Sequence, residues 1–233
     1  GEEVKARIDF GDPRKLQLAS TFVERLEIES EKTNYQISDI HGKLYDVYRA
    51  EIPELTVGSR SEQNVEFTYQ VGEMEAVSRQ IGTDFHAVLG WGYFRKSFTE
   101  IDYRNGILTL SQNPPPPESG EFRVPFRRDA SQLIIPAQIN GENHNLMIDT
   151  GSPVTVADSN RNLTTADGLF RFQLADKELE IRAYSQDLSV LADLGVAAIL
   201  GGDFLQQWIV TIDPAESVLL FSRVTHSSDI NEP

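Results

Sequence analysis

The residues of this chain that could do chemistry include a short acidic motif behind an apolar run. Residues 146–156 are Leu-Met-Ile-Asp-Thr-Gly-Ser-Pro-Val-Thr-Val, so Asp149 ends an apolar segment and Thr150 and Gly151 follow it in a turn. An ionised carboxylate presented in this way can activate a water for attack on a carbonyl, provided that a second carboxyl group shares its proton. Gly151 permits a tight turn, and the Thr150 hydroxyl can hydrogen-bond to a neighbouring loop.

Other catalytic and metal-binding chemistries find no support in the composition. The chain contains no cysteine, which excludes thiolate catalysis, disulfides and zinc sites built on cysteine. Its four histidines are far apart and lack the paired spacing of metal ligands: His41, His86, His144 and His226. We therefore expect neither a metal nor another cofactor.

The charge balance narrows the range of partners. Acidic residues outnumber basic ones 36 to 21, for a formal net charge of −15. Such a chain repels phosphate backbones and anionic membrane surfaces, so we expect no nucleic acid and no membrane partner. No apolar stretch approaches the roughly 18 residues that a spanning helix requires. The absence of cysteine and a start at Gly1, as left by a removed signal peptide, favour an extracytoplasmic location.

A proline-rich segment and an internal repeat divide the chain into two halves. Residues 113–120 include four consecutive prolines and predict a stiff linker between domains 1–112 and 121–233. Residues 87–110 align without a gap with residues 198–221, and six aligned positions are identical. Each copy predicts a buried strand ending in Leu-Gly, a helical turn and a hairpin, while long helical periodicity is nearly absent. The predicted fold is mainly β, in two related lobes.

The motif and the repeat together resemble the retropepsin-like aspartic peptidase family. The resemblance rests on the Asp149 loop and on Ala198-Ile-Leu-Gly-Gly-Asp-Phe204 downstream of it, and it covers residues 121–223 and, more loosely, 4–110. It implies two acid-protease-like β lobes arranged as a pseudo-dimer, and a peptidase that hydrolyses peptide bonds through an aspartate-activated water. It also implies that Asp149, Thr150 and Gly151 form one catalytic loop, that each lobe must supply such a loop, and that the substrate is a peptide or protein.

The first half has two alternative alignments with the Asp149 loop. Matching the predicted hairpins places Ala19, Ser20 and Thr21 opposite the catalytic triplet, so the first lobe would carry a degenerate loop without an acid. The alternative aligns Ile8-Asp9-Phe-Gly-Asp-Pro13 with Ile148-Asp149-Thr-Gly-Ser-Pro153, but it leaves no room for a preceding hairpin. We expect the first alignment, in which Asp9 is only a turn residue beside Gly11.

A segment of the first half resembles the flap hairpin of the same family. Residues 35–48 alternate apolar and polar side chains around Gly42, which places Ile40, His41 and Gly42 at the tip over a bound peptide. The second half is too short between its landmarks for an equal flap. The structural alternative is an ordinary surface hairpin.

Two functions follow from the resemblance. In the first, the protein is a peptidase, and the second carboxylate comes from another chain, through two Asp149 loops that meet in a homodimer. In the second, the first lobe occupies the place of the mate, and the protein is a catalytically inactive pseudo-peptidase that binds extended peptides in the interlobe cleft. An acid in the first-half loop would favour catalysis, whereas Ala19 there favours binding. A β-rich scaffold without a cleft is the remaining alternative.

Overall fold

A computed structural model of the chain describes residues 2–38, 43–113 and 122–223. Strands account for 51% and helices for 15% of it, so the mainly β class is confirmed, and its curled sheets include a half-barrel. Two compact units are present, Gly1–Tyr93 and Phe94–Pro233. No helix of the described residues is long and apolar enough to cross a membrane.

The first unit is built on one six-stranded sheet. Its strands are β1 (Ala6–Asp9), β2 (Leu16–Leu18), β3 (Ser30–Ser38), β4 (Leu44–Val57), β5 (Arg60–Gln70) and β6 (Ala87–Gly90). Two helices, α1 (Ser20–Arg25) and α2 (Glu73–Ile81), connect strands, and a short helix, α3 (Trp91–Phe94), follows β6. The spatial order is β1-β6-β2-β5-β4-β3. Strand β6 therefore runs between β1, to which it is parallel, and β2, to which it is antiparallel.

Burial along the strands follows the period of two that strand geometry imposes. On β5, Val65, Phe67 and Tyr69 are buried, while Glu66 between them is exposed. Strand β6 is buried at all four positions. It lies second from the edge of the sheet, between β1 and β2, where it can support the loop that joins these two strands.

The second unit contains two sheets. Its strands are β7 (Phe98–Asp102), β8 (Ile107–Ser111), β9 (Phe122–Pro125), β10 (Ile134–Ile139), β11 (Glu142–Ile148), β12 (Val156–Asp158), β13 (Leu169–Leu174), β14 (Lys177–Arg182), β15 (Tyr184–Gln186), β16 (Val196–Leu200), β17 (Trp208–Asp213) and β18 (Val218–Arg223). Helix α4 (Gly202–Leu205) follows β16, and 3₁₀ turns span Ser159–Arg161 and Ser189–Leu194. The sheet orders are β14-β13-β10-β11-β16-β12-β15 and β8-β7-β17-β18-β9.

The hairpin that delivers Asp149 forms as the turn chemistry predicts. Asn140 and Gly141, between β10 and β11, both have positive φ, of 53° and 82°. Two such residues in a row make the tight turn whose twist matches that of an antiparallel pair. Strand β11 pairs with β10 on one side and with the parallel strand β16 on the other, so Ile148 at its end is held on both sides.

Aromatic side chains hold α4 and the C-terminal hairpin together. The rings of Phe122 and Phe221 stack with centroids 5.0 Å apart, and Trp208 meets Phe122 edge-on at 5.1 Å. Phe204, on α4, packs against Phe221 at 6.0 Å. The contact anchors the short helix that follows β16, because aromatic pairs at these separations add to the energy of burial.

The boundary between the units differs from the expected one at residue 112. Hairpin β7–β8, which the sequence assigns to the first lobe, lies in the five-stranded sheet of the second unit, where β7 pairs with β17. The expected linker, 113–120, lies outside the described residues except for Asn113. The repeat itself is visible as the same order of elements: β6, α3, β7 and β8 against β16, α4, β17 and β18.

Strands β7 and β17 pair about equivalent residues of that repeat. Thr211 faces Glu100, Val210 faces Ile101, and Ile212 faces Thr99. Glu100 and Thr211 are aligned with each other in the sequence repeat, and the flanking pairs exchange equivalent positions. Antiparallel pairing of two equivalent strands about equivalent residues is the pattern that a local two-fold axis produces.

Candidate functional site

Asp149 lies at the carboxyl end of β11, after three buried residues, Leu146, Met147 and Ile148. Its Oδ1 accepts hydrogen bonds from the backbone N–H of Gly151 at 2.7 Å and of Ser152 at 3.2 Å. Its own N–H donates to the carbonyl of Leu200 on β16 at 3.1 Å. The strand ladder therefore fixes the backbone of Asp149, and the turn behind it fixes one carboxylate oxygen.

The loop after Asp149 crosses the end of β16 at very close range. Gly202 N–H donates to Ser152 O at 2.8 Å. A Cβ on Gly201 would lie 2.8 Å from Ser152 O and closer still to Val154 O. Only glycine fits at this crossing, which explains the Leu-Gly that ends the strand. Below it, the buried Thr155 hydroxyl donates to Asp203 Oδ1 at 2.7 Å.

The first unit contains the same crossing, and the residue at its head is Asp9. Asp9 ends β1, and its Oδ1 accepts the N–H of Asp12 at 3.2 Å. Trp91 N–H donates to Asp12 O at 2.7 Å. A Cβ on Gly90 would lie 2.5 Å from Asp12 O and closer still to Arg14 O. Each contact repeats one made by the Asp149 loop.

Strand register assigns the equivalent residues of the two units. Ile148 pairs with Leu200 on β16, and Ile8 pairs with Leu89 on β6. Leu89 and Leu200 are aligned in the sequence repeat. The residues that follow, Asp9 and Asp149, therefore stand at equivalent positions, as in the alternative alignment of Ile8–Pro13 with Ile148–Pro153.

Ala19, Ser20 and Thr21 lie elsewhere, at the start of α1. Ala19 is the N-cap of this helix, and its backbone N–H donates to His86 O at 2.9 Å. In the pairing register its equivalent is Asp158, the N-cap of the 3₁₀ turn in the second unit, whose carboxylate accepts the N–H of Asn160. The expected match between Ala19 and Asp149 is thus replaced by a match between two helix caps.

Glu75 supplies the cap that Ala19 cannot. Its Oε1 accepts the Ser20 hydroxyl and the Thr21 N–H, each at 2.9 Å. Burial alone would raise the pKa of Glu75, but the hydrogen bonds from Thr21 and Ser20 outweigh it and hold this pKa below its usual value. These residues therefore have a structural role in the first unit.

In the sequence, β1 and β2 resemble the two strands of a hairpin, and this resemblance favours the alignment of Ala19 with Asp149. They are separated by a short Gly-Asp-Pro turn, yet they lie on opposite sides of β6 and do not pair with each other. Strand β1 takes the place of β11, and β2 takes the place of β12. The shared Ile-Asp-x-Gly-x-Pro pattern, from Ile8 and from Ile148, is the signal that could have found the correct register.

The two loops differ in their side chains. Phe10 is buried and meets the ring of Trp91 edge-on at 5.6 Å, whereas the equivalent Thr150 is half-buried and its carbonyl accepts the Tyr103 hydroxyl at 3.5 Å. Asp12 is replaced in the second loop by Ser152. The first loop therefore keeps its middle side chain in the core, whereas the second has a half-buried threonine at that position.

A further difference concerns the ion pairs. The Arg7 guanidinium lies 3.5 Å from Asp9 Oδ2, and Asp12 binds Arg14 through both carboxylate oxygens, at 2.8 and 2.9 Å. The residue equivalent to Arg7 is Met147, which is buried. The Asp9 loop thus contains two ion pairs, and an apolar residue stands in the second unit where the first has Arg7.

The flap-like tip expected at Ile40, His41 and Gly42 lies outside the described residues. The strands that flank it, β3 and β4, form an antiparallel pair whose last pairing is Ser38 with Leu44. Tyr35 and Leu44 are exposed, at 47% and 62% of their surface. Apolar side chains are therefore available to a ligand near this end of the hairpin.

Comparison with known proteins adds no family to this geometry. No protein-family model matches the chain, and no curated protein matches it. Within the described residues, no group of three or more His, Cys, Asp or Glu side chains could hold a metal ion. The two equivalent loops are therefore the basis for a functional proposal.

Proposed function

We propose that this protein is a retropepsin-like aspartic peptidase and that its two catalytic carboxylates are Asp149 and Asp9. The observation that carries the proposal is the equivalence of the two loops, in strand register, in the hydrogen bond that closes each turn and in the glycine crossing. Both halves then supply an acid, and no second chain is needed. The homodimer that the sequence suggested becomes the alternative source of the second carboxylate.

The chemistry requires the two carboxyl groups to share one proton, since like charges at close range cannot both ionise. The ionised group takes a proton from a water as this water attacks the peptide carbonyl. The protonated group donates to the carbonyl oxygen, on which negative charge develops. Neither step needs a cofactor.

A pseudo-dimer of the two halves is part of the proposal. Its support is the pairing of β7 with β17 about Glu100 and Thr211, which is the local pattern of a two-fold axis. The proposed substrate is an extended peptide.

Peptide binding without hydrolysis is the second candidate function. It is favoured by Phe10, which is buried and has no hydroxyl to match that of Thr150, and by the ion pair that engages Asp9 with Arg7. A loop altered in this way could keep its backbone conformation without contributing to catalysis. The two candidates differ in one measurable respect, which is cleavage.

The test compares the wild type with Asp149→Asn and Asp9→Asn on a diverse peptide mixture from about pH 3 to 7, with Asp176→Asn as a control because Asp176 is 78% exposed. Members of a catalytic unit act jointly, so each catalytic variant should lose at least about 10³-fold in kcat/KM. The control should lose nothing. The rate should be linear in protein concentration.

Three results would contradict the proposal. Full activity in Asp9→Asn would remove this residue from the mechanism, and a rate that grows with the square of concentration would establish the homodimer. Saturable binding of peptides without cleavage by the wild type would establish the second candidate.

A further inference from the structure

Strand β8 is the last strand of the five-stranded sheet in the second unit, and it carries no charge. Its sequence is Ile-Leu-Thr-Leu-Ser, and in the described part of the chain β7 is the strand that pairs with it. Ile107 is 54% exposed, and Thr109 and Ser111 are exposed as well. An uncharged, partly apolar edge of this kind is a template for pairing with a further strand.

Among the described residues, the other edge strands of four or more residues all carry charged side chains. Strand β14 has the sequence Lys-Glu-Leu-Glu-Ile-Arg, β3 includes Glu31 and Lys32, β9 includes Arg123, and β1 includes Arg7 and Asp9. Charged side chains on an edge strand oppose its pairing with another chain. Strand β8 lacks this protection.

The internal repeat shows what covers the equivalent edge. Strand β18 corresponds to β8, and β9 pairs with its outer side. Leu219 and Phe221 on β18 are fully buried, whereas Leu108 and Leu110, at the equivalent positions of β8, are half-buried. The same apolar positions therefore have a neighbouring strand on both sides in β18 and on one side in β8.

We propose that two copies of this chain form a dimer through β8, by antiparallel pairing of the two β8 strands about Thr109. This register places Leu108 opposite Leu110 of the second copy and Thr109 opposite its own counterpart, and apolar and threonine pairs of this kind stabilise a sheet. The pairing is two-fold, so it closes after two copies. Strands β7 and β17 already pair about equivalent residues in the same way.

Charge favours β8 over other edges as the contact between copies. Each copy has a formal net charge of −15, so two copies repel each other over most of their surface. Pairing of β8 with β8 brings no charged side chain of these strands against its like. Five residues extend over about 17 Å, so the interface is small and we expect a Kd between about 10⁻⁵ and 10⁻⁴ M. The pairing uses neither the Asp9 loop nor the Asp149 loop, and it does not depend on peptide cleavage.

The experiment measures the dimer Kd by sedimentation equilibrium at about 5 to 500 μM protein, in about 50 mM salt so that charges are weakly screened. Thr109→Lys and Thr109→Glu each place two like charges opposite one another and should raise the Kd about fivefold or more. An equimolar mixture of the two variants places lysine opposite glutamate and should restore the wild-type Kd. Thr56→Lys, at an exposed threonine on β4, is the matched control and should leave the Kd unchanged. Circular dichroism checks that each variant is folded.

A second readout uses the absence of cysteine from the chain. Thr109→Cys gives each copy a single thiol, and the two thiols meet where the strands cross the two-fold axis, within reach of a disulfide. Oxidised glutathione should convert most of this variant into a covalent dimer. Thr56→Cys, treated in the same way, should remain largely monomeric.

A wild type that stays monomeric over the whole concentration range would overturn the inference, and slow hydrogen exchange of the β8 amides in that monomer would indicate a segment of the same chain as the occupant of this edge. A dimer that Thr109→Lys and Thr56→Lys leave equally strong would also overturn it, because the interface would then lie elsewhere. If the mixture of Thr109→Lys and Thr109→Glu stays as weak as each variant alone, pairing about Thr109 is wrong.

Discussion

The loop that begins at Asp9 and the loop that begins at Asp149 close with the same hydrogen bond, from the N–H three residues later to the aspartate Oδ1. They differ at the two positions where the first loop has Phe10 and Asp12 and the second has Thr150 and Ser152. Backbone hydrogen bonds and one glycine contact are enough to keep the geometry, because they leave no alternative path for the chain. Side chains that point away from those contacts are free to differ, and here they differ in charge.

The largest loss in the free energy of unfolding should come from alanine substitutions at the two glycine crossings. Gly201→Ala should lose about 3 kcal/mol of the free energy of unfolding, since its Cβ would overlap two carbonyl oxygens of the backbone. Gly90→Ala should lose a similar amount. Gly202→Ala is the matched control, because its Cβ would meet Pro153 O at 3.4 Å and needs only a small adjustment. Urea denaturation measures all three.

Equal tolerance of alanine at Gly201 and Gly202 would contradict this geometry. A large loss at Gly201 with none at Gly90 would show that the two crossings are not equivalent, and it would weaken the assignment of Asp9.

A smaller effect should separate Asp12 from Ser152. Asp12→Ala removes a buried carboxylate that binds the Arg14 guanidinium, and we expect a loss of about 2 kcal/mol. Ser152→Ala removes one neutral hydrogen bond, from its hydroxyl to Val154 O, and should lose about 1 kcal/mol. Thermal unfolding of both variants measures the difference.

The double variant Asp12→Ser with Arg14→Val sharpens the same comparison by copying the second loop into the first. It should be more stable than Asp12→Ala, because it leaves no guanidinium without its carboxylate. A double variant as unstable as Asp12→Ala would mean that the surroundings of the first loop, rather than the ion pair, demand these residues.

The smallest effect concerns the caps at Ala19 and Asp158. Glu75→Ala should lose about 1 kcal/mol at pH 7, the usual cost of a lost helix cap. The pKa of Glu75 is lowered on folding, from 4.5, so its contribution is present above this pH and is lost as the pH falls through the lower, folded value. The difference between wild type and variant should therefore shrink as the pH falls below 4.5.

Urea denaturation between pH 3 and 7 measures this trend, with the exposed Glu66 changed to alanine as a control. A difference that stays constant down to the lowest pH would show that the ionised form of Glu75 has no part in the cap.

Much of the Asp149 site could be predicted from the sequence because its signals are local. An apolar run, an Asp-Thr-Gly turn and an Asn-Gly hairpin are all contained within residues 134–156, and each follows from side-chain size and backbone freedom. The equivalence of the Asp9 loop was the less favoured alignment, because it leaves no room for a hairpin before β1. The strand register that establishes this equivalence pairs β1 with Ala87–Gly90, a segment far away in the chain.

The sequence by itself determined the mainly β class, the repeated strand, helix and hairpin that close each half, and the turn at Asp149. Tertiary structure alone decided that β1 and β2 lie on opposite sides of β6, and that hairpin β7–β8 joins the sheet of the second unit. The physical reason is that alternation along a strand specifies which side chains face the core, but not which strand lies beside it. That choice depends on contacts between distant residues. It places Asp9 at the position equivalent to Asp149, where the alignment with Ala19 leaves no acid.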